Sequence, residues 1–176
     1  VGVTSIYWYF RKKDELLNAM TDRALREYVF ATPYVEADDW RETLANHARS
    51  MRTTFMGNPI LCDLILIRSA LSPRAAKVGE QEVEKAIDSL VEAGLPRREA
   101  FDVYSAVSLH VRGSVVLHRL YEKNRDADHD VHPLEDTIRI GTADDHNFEF
   151  GLQCILERAE RLIADAKPAA KARRKG

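Results

Sequence analysis

The residues best equipped for recognition chemistry stand together at the start of the chain, in Val1-Gly2-Val3-Thr4-Ser5-Ile6-Tyr7-Trp8-Tyr9-Phe10-Arg11-Lys12-Lys13. Hydroxyls and aromatic rings come first, no carboxylate appears before Asp14, and the stretch leaves through a run of cations. Thr, Ser and Tyr hydroxyls can bond phosphates or base edges, and a Val or Thr methyl can touch a thymine methyl. A Lys can neutralise a phosphate. Lys13, at the start of the helix that follows, would add its charge to free N–H groups that already favour anions. The chemistry suits a phosphate-lined groove.

A second cluster, Asp126-Ala127-Asp128-His129-Asp130-Val131-His132, carries metal-ligand residue types. His129 and His132 with the neighbouring carboxylates could hold a divalent cation. The stretch has no helical phase, however, and reads as a solvated loop, so no metal is expected. His110 and His118 lie too far apart on a helix to share an ion. Cys62 and Cys154 have no cysteine near them in sequence and are expected as buried helix residues. There is no nucleophile elbow, P-loop, His-Glu-x-x-His or glycine-rich dinucleotide turn. The expectation is neither an enzyme nor a cofactor.

Composition sets the frame for these groups. The chain has 176 residues, 45% of them hydrophobic and 31% charged, too apolar for a wholly disordered polymer. The formal net charge of -2 excludes a chain that is basic throughout but allows a basic patch. The longest apolar run, around Leu64 to Ile67, is broken by Asp63 and is too short to span a bilayer. No secretory leader is evident, and two cysteines cannot build a disulfide framework, so a reducing cytoplasm is expected.

The elements that position the chemistry all have helical period, and none alternates like a strand. An all-α fold follows. A very short helix is predicted over Val3 to Tyr9 and a longer one over Lys13 to Phe30. The next runs from Asp39, with Glu42 as its capping-box partner, to Met56. Asn58-Pro59 opens another, and Ser72-Pro73 opens one that Gly94 closes. Helices over Arg97 to Glu122 and Asp144 to Asp165 complete the set. Lys123 to Thr142 reads as a loop and residues 167–176 as a disordered basic tail. One or two turns of helix cannot stand alone. Ile6, Tyr7 and Phe10 would anchor the first helix, leaving Val3, Thr4, Ser5, Trp8 and Tyr9 on the other face.

This opening segment resembles the second half of the helix-turn-helix of the TetR family of transcriptional regulators. The family pattern is a Gly-Val turn, a short recognition helix ending Leu/Ile-Tyr-x-His/Tyr-Phe, two residues, Lys, an acidic residue and Leu-Leu. Here Ile6-Tyr7-Trp8-Tyr9-Phe10, Arg11-Lys12, Lys13, Asp14-Glu15 and Leu16-Leu17 supply it, with Val1 as the Val of the turn and Tyr9 in place of the commoner His. Asp144 to Leu152 with Ile155-Leu156 is similar to the closing helix of tetracycline-repressor-like C-terminal domains. The resemblance implies that residues 1–31 are the end of a helix-turn-helix domain whose earlier helices would precede Val1. It implies a helical regulatory and dimerisation domain over residues 37–166. Val3, Thr4, Ser5, Tyr7, Trp8, Tyr9 and Lys13 are then the expected contacts to double-stranded operator DNA.

The later helices carry two further expectations. Phe148, Leu152, Ile155, Ala159 and Leu162 follow the 4-and-3 spacing of a helix that packs lengthwise on others, and Val103, Val107, Val111 and Ser114 allow close approach. From spacing alone these stripes serve equally as core within one chain. The resemblance implies a homodimer joined by a four-helix interface. It also implies a small hydrophobic effector inside the bundle, for which Met51, Phe55, Leu64, Ile67, Arg68, Ile87, Tyr104 and His110 are the candidate lining. Arg68, a cation after an apolar run, needs a partner. An internal carboxylate such as Asp63 is preferred over an anionic ligand. The competing reading is an all-α small-molecule-binding or scaffold module that never touches DNA.

Overall fold

Local signals set the helix ends and tertiary burial sets the rest. The computed structural model describes residues 8–31, 34–68, 73–124 and 144–173, with only the helical path described at 29–31, 73–79, 124 and 167–173. The described regular elements are all helices. Trp8 and Tyr9 are helical, and α1 follows over Lys13–Ala31. The Lys12 carbonyl accepts from the Glu15 and Leu16 amides, and Glu15 Oε2 reaches back to the Arg11 amide at 3.0 Å. Together these satisfy N–H groups that the first turn would leave free.

Helix α2, Trp40–Gly57, begins at Asp39, whose Oδ1 accepts from the Glu42 amide at 2.9 Å. This half of the predicted capping box forms as expected. Asn58 closes α2, its Nδ2 donating to the Thr54 carbonyl at 2.8 Å. After the single turn α3, Pro59–Leu61, the chain widens into a π-helical segment, Cys62–Arg68. The sequence predicts a regular α-helix here. The widening has a packing reason: Cys62, Leu64, Ile65 and Leu66 are all buried, and successive residues at α-helical pitch cannot all face one core.

Helix α4, Pro73–Glu92, ends as its sequence predicts. Gly94 adopts φ 113°, its amide donates to the Val91 carbonyl, and the Leu95 amide donates to Leu90. This is a Schellman closure, which favours glycine at the left-handed position. Helix α5, Arg97–Asn124, lies at the centre and packs on α2, α4 and α6, the last spanning Asp145–Arg173. Asp144 caps α6, its Oδ1 accepting from Asn147 at 2.7 Å. Helix α6 runs past Asp165 into the stretch expected to be a disordered tail. The alanines at 169, 170 and 172 favour that continuation.

The core is one cluster drawn from every long helix. Leu44, Leu90, Leu95, Val107, Val111, Val115, Leu152 and Leu156 are fully buried within it. Each such side chain contributes about 1.5–3 kcal/mol by leaving water. The stripe expected at the dimer interface belongs to this core. Val103, Val107, Val111, Ser114, Phe148, Leu152 and Ala159 are buried, and Ile155 and Leu162 are half-buried, within the single chain. Small and β-branched residues allow the close approach of α5 to α2, α4 and α6 within the chain. Of the cysteines, Cys62 is buried as expected and Cys154 is exposed.

Candidate functional site

The described part of the chain opens on an exposed aromatic pair. Trp8 is 86% and Tyr9 84% exposed, while Phe10 beside them is half-buried. Arg11, Lys12 and Lys13 follow, all exposed. Two large rings held in water on a short helix are costly unless something covers them. Val3, Thr4, Ser5 and Tyr7, with the anchor residue Ile6, lie outside the described residues.

Helix α1 joins this head to the bundle by packing on α4 and on the π segment. Arg68 at the end of that segment donates to Asp14 Oδ1 at 3.3 Å and Asn18 Oδ1 at 3.2 Å. Arg68 therefore has an internal carboxylate partner, though Asp14 rather than Asp63. Asp63 is taken by the other side: Arg119 reaches both its oxygens at 3.3 Å and Lys123 Nζ donates at 2.8 Å. The Arg119 guanidinium, seconded by Lys123, holds the Asp63 carboxyl below its ordinary range against some burial.

Inside the bundle, Met51, Phe55, Leu64, Ile87 and Tyr104 come together in the buried cluster. Ile67 and Arg68 are exposed instead. His110 is engaged elsewhere: its Nε2 lies 2.8 Å from the Phe148 carbonyl and its ring stacks on Phe148 at 5.1 Å. The wide pitch of the π segment explains Ile67 and Arg68, and the α5–α6 crossing explains His110.

The polar centre among these residues is His47, which spacing marks only through its position one turn before Met51. It is 6% exposed, and neither ring nitrogen has a hydrogen-bond partner. Tyr34 meets it edge-on at 5.0 Å and Tyr104 lies nearly parallel at 6.3 Å. Burial lowers the His47 pKa to about 4, with the Glu82 carboxylate pulling weakly the other way, so the ring is neutral at pH 7. Burial likewise raises Tyr104 to about 12. The Tyr34 hydroxyl faces Ser89 but is buried without a well-formed hydrogen bond. The signal in the sequence was present: His47 is in phase with the apolar face of Leu44, Ala48, Met51 and Phe55.

The predicted cluster from Asp126 to His132 lies outside the described residues. Among the described residues no group of His, Cys, Asp or Glu could hold a metal ion, and no helix is long and apolar enough to cross a membrane.

The described residues thus form a helical bundle that presents aromatic and basic residues at 8–13 and keeps unpaired polar atoms in its interior. Comparison with known proteins identifies which class. Residues 32–142 match the family model described as tetracyclin repressor-like, C-terminal domain. An HTH-type transcriptional repressor of Mycobacterium tuberculosis is 61% identical, over 97% of this chain and 72% of its own length. The class G tetracycline repressor protein of Vibrio anguillarum is 29% identical, over 91% of this chain and 79% of its own. Among solved structures, a TetR variant of Acinetobacter baumannii AYE in complex with minocycline superposes with a TM-score of 0.60 at 28% identity, covering 93% of this chain and 80% of that one. The chain belongs to the TetR family of DNA-binding transcriptional repressors.

Proposed function

We propose that the protein binds double-stranded operator DNA as a homodimer and releases it when a small molecule enters the bundle between α2, α4 and α5. The observation that carries this reading is the head: Trp8 and Tyr9 stand in solvent beside three exposed cations. With Val3, Thr4, Ser5 and Tyr7 they form the DNA-facing set, and Lys13 takes a phosphate. Residues 1–31 are the DNA-facing unit and residues 37–166 the regulatory unit. The relatives support the repressor role, since the mycobacterial protein is named a repressor and the Acinetobacter protein holds minocycline.

The homodimer is assigned to residues other than the buried stripe. Leu109, Leu117 and Leu120 on α5 and Phe150 on α6 are exposed. Leu109, Gly113, Val116 and Leu120 recur at helical spacing on α5, and a second copy that covers this strip removes apolar area from water. Twofold symmetry then places two heads for a palindromic site.

The test uses the full-length protein and duplexes selected by it from a random pool. Lys13→Ala is expected to weaken binding uniformly across sequences and to lower the salt slope by about one. Trp8→Ala is expected to change which duplexes are selected. If no duplex is enriched, or if both variants bind like the parent, the DNA reading is wrong.

A further inference from the structure

We propose that the effector site is organised by His47 and takes an uncharged aromatic molecule that carries both a hydrogen-bond donor and an acceptor, as a phenol does. The proposal rests on the effector reading above and adds the chemical class. A neutral imidazole offers one N–H donor and one bare nitrogen acceptor. Both are buried and both are unpaired. Buried polar atoms in folded proteins are nearly always satisfied, so a group that keeps two open valences calls for a partner from outside the chain.

The surroundings limit that partner's charge. The charge acting on His47 is the Glu82 carboxylate. Its Oε2 already accepts from the Tyr34 amide and its Oε1 from Lys85 Nζ, each at 2.8 Å. Glu82 therefore repels an anion and is already paired against a cation. Tyr34 and Tyr104 provide π faces and edges around the imidazole. Tyr28 and Phe55 stack close by at 4.5 Å. Met51, one turn along α2, is an adaptable thioether that can yield to a flat ring. A ring with a hydroxyl satisfies His47 and gains aromatic contact. A carboxylate or ammonium would lose its hydration without compensation.

The experiment measures binding of four matched probes to the full-length protein by calorimetry and thermal shift: 1-naphthol, naphthalene, 1-naphthoate and 1-naphthylmethylamine. The expected result is that 1-naphthol binds at least about tenfold more tightly than each of the others, the scale of one or two hydrogen bonds. His47→Leu should lose that preference, and His47→Asn, which keeps a donor and an acceptor, should retain most of it. The proposal is overturned if naphthalene or naphthoate binds equally well, if His47→Leu binds 1-naphthol unchanged, or if no probe binds at millimolar concentration. In the last case His47→Leu that only raises the melting temperature would show a bridging water as the partner. Operator release is read separately. His47-dependent binding without release would sustain the site and sink the effector reading.

Discussion

Arg68 Nη2 lies 3.3 Å from Asp14 Oδ1, across the junction between the π segment and the head helix α1. Five residues earlier on the same segment, Asp63 is held by Arg119 and Lys123 of α5. The segment is thus tied at one end to the bundle's central helix and at the other to α1. Asp14→Asn should leave folding stability within about 1 kcal/mol, since the pair is largely exposed. A ligand that acts on the bundle must work through such a contact to bias the head. The effector concentration for half-release of operator is expected to rise about twofold to fivefold, measured by fluorescence anisotropy. An unchanged midpoint would place the coupling elsewhere along α1.

Gly151 gives His110 its place. A Cβ built on Gly151 would meet His110 Cε1 and lie 2.8 Å from its Nε2. The ring cannot swing aside cheaply, because it is hydrogen-bonded to the Phe148 carbonyl and stacked on the Phe148 ring, which also carries Arg52 at 4.6 Å on its face. Gly151→Ala should therefore destabilise the fold by about 1–3 kcal/mol through overpacking. His110→Ala in the same chain should recover part of that loss. Urea denaturation of the two single variants and the double variant measures the coupling; additive effects would mean that the ring relaxes freely.

Leu109 is 70% and Phe150 66% exposed, on two helices that pack against each other. Leu109→Glu with Phe150→Glu should leave the isolated fold within about 1 kcal/mol, because neither side chain is in the core. A charge buried against a second copy is costly, so dimer dissociation should strengthen at least about 100-fold. Sedimentation velocity at micromolar concentration reads the outcome. A variant that stays dimeric would move the interface off these faces.

What the sequence made legible was local. Asp39 with Glu42, and Gly94 with the close of α4, announce themselves because a cap or a left-handed turn involves only residues a few positions apart. The π segment was not legible, since its pitch answers to how many of Cys62, Leu64, Ile65 and Leu66 the core can accept. Arg68 plainly needed a carboxylate, but Asp14 lies 54 positions away and Asp63 five, and sequence distance favoured the wrong one. The Val103 to Val111 stripe shows a further limit. Periodicity tells which face of a helix is apolar and is silent on whether the covering helix comes from the same chain. His47 fell between categories, a polar residue in phase with an apolar face, whose meaning depends on partners that only the fold reveals.

His47 also gives the protein a pH dependence that can be isolated. Its folded pKa of about 4, set by burial against a weaker pull from Glu82, lies below the ordinary 6.5 that it regains on unfolding. The unfolded chain therefore binds the proton first. Stability is whole above about pH 6.5 and declines as pH falls from there toward 4, by roughly 2 kcal/mol between pH 7.5 and 5. Tyr34 and Tyr104, which face the ring, stay protonated throughout this window because burial raises both. Burial opposes ionisation of Glu82, but Lys85 and the Tyr34 amide outweigh it and hold the carboxyl below its ordinary 4.5. Its contribution is accordingly lost only at still lower pH. His47→Asn removes the titrating ring and keeps a neutral polar group, so its urea-derived stability should be nearly flat from pH 7.5 to 5 where the parent's falls. Parallel curves for parent and variant would show that another group takes up the proton.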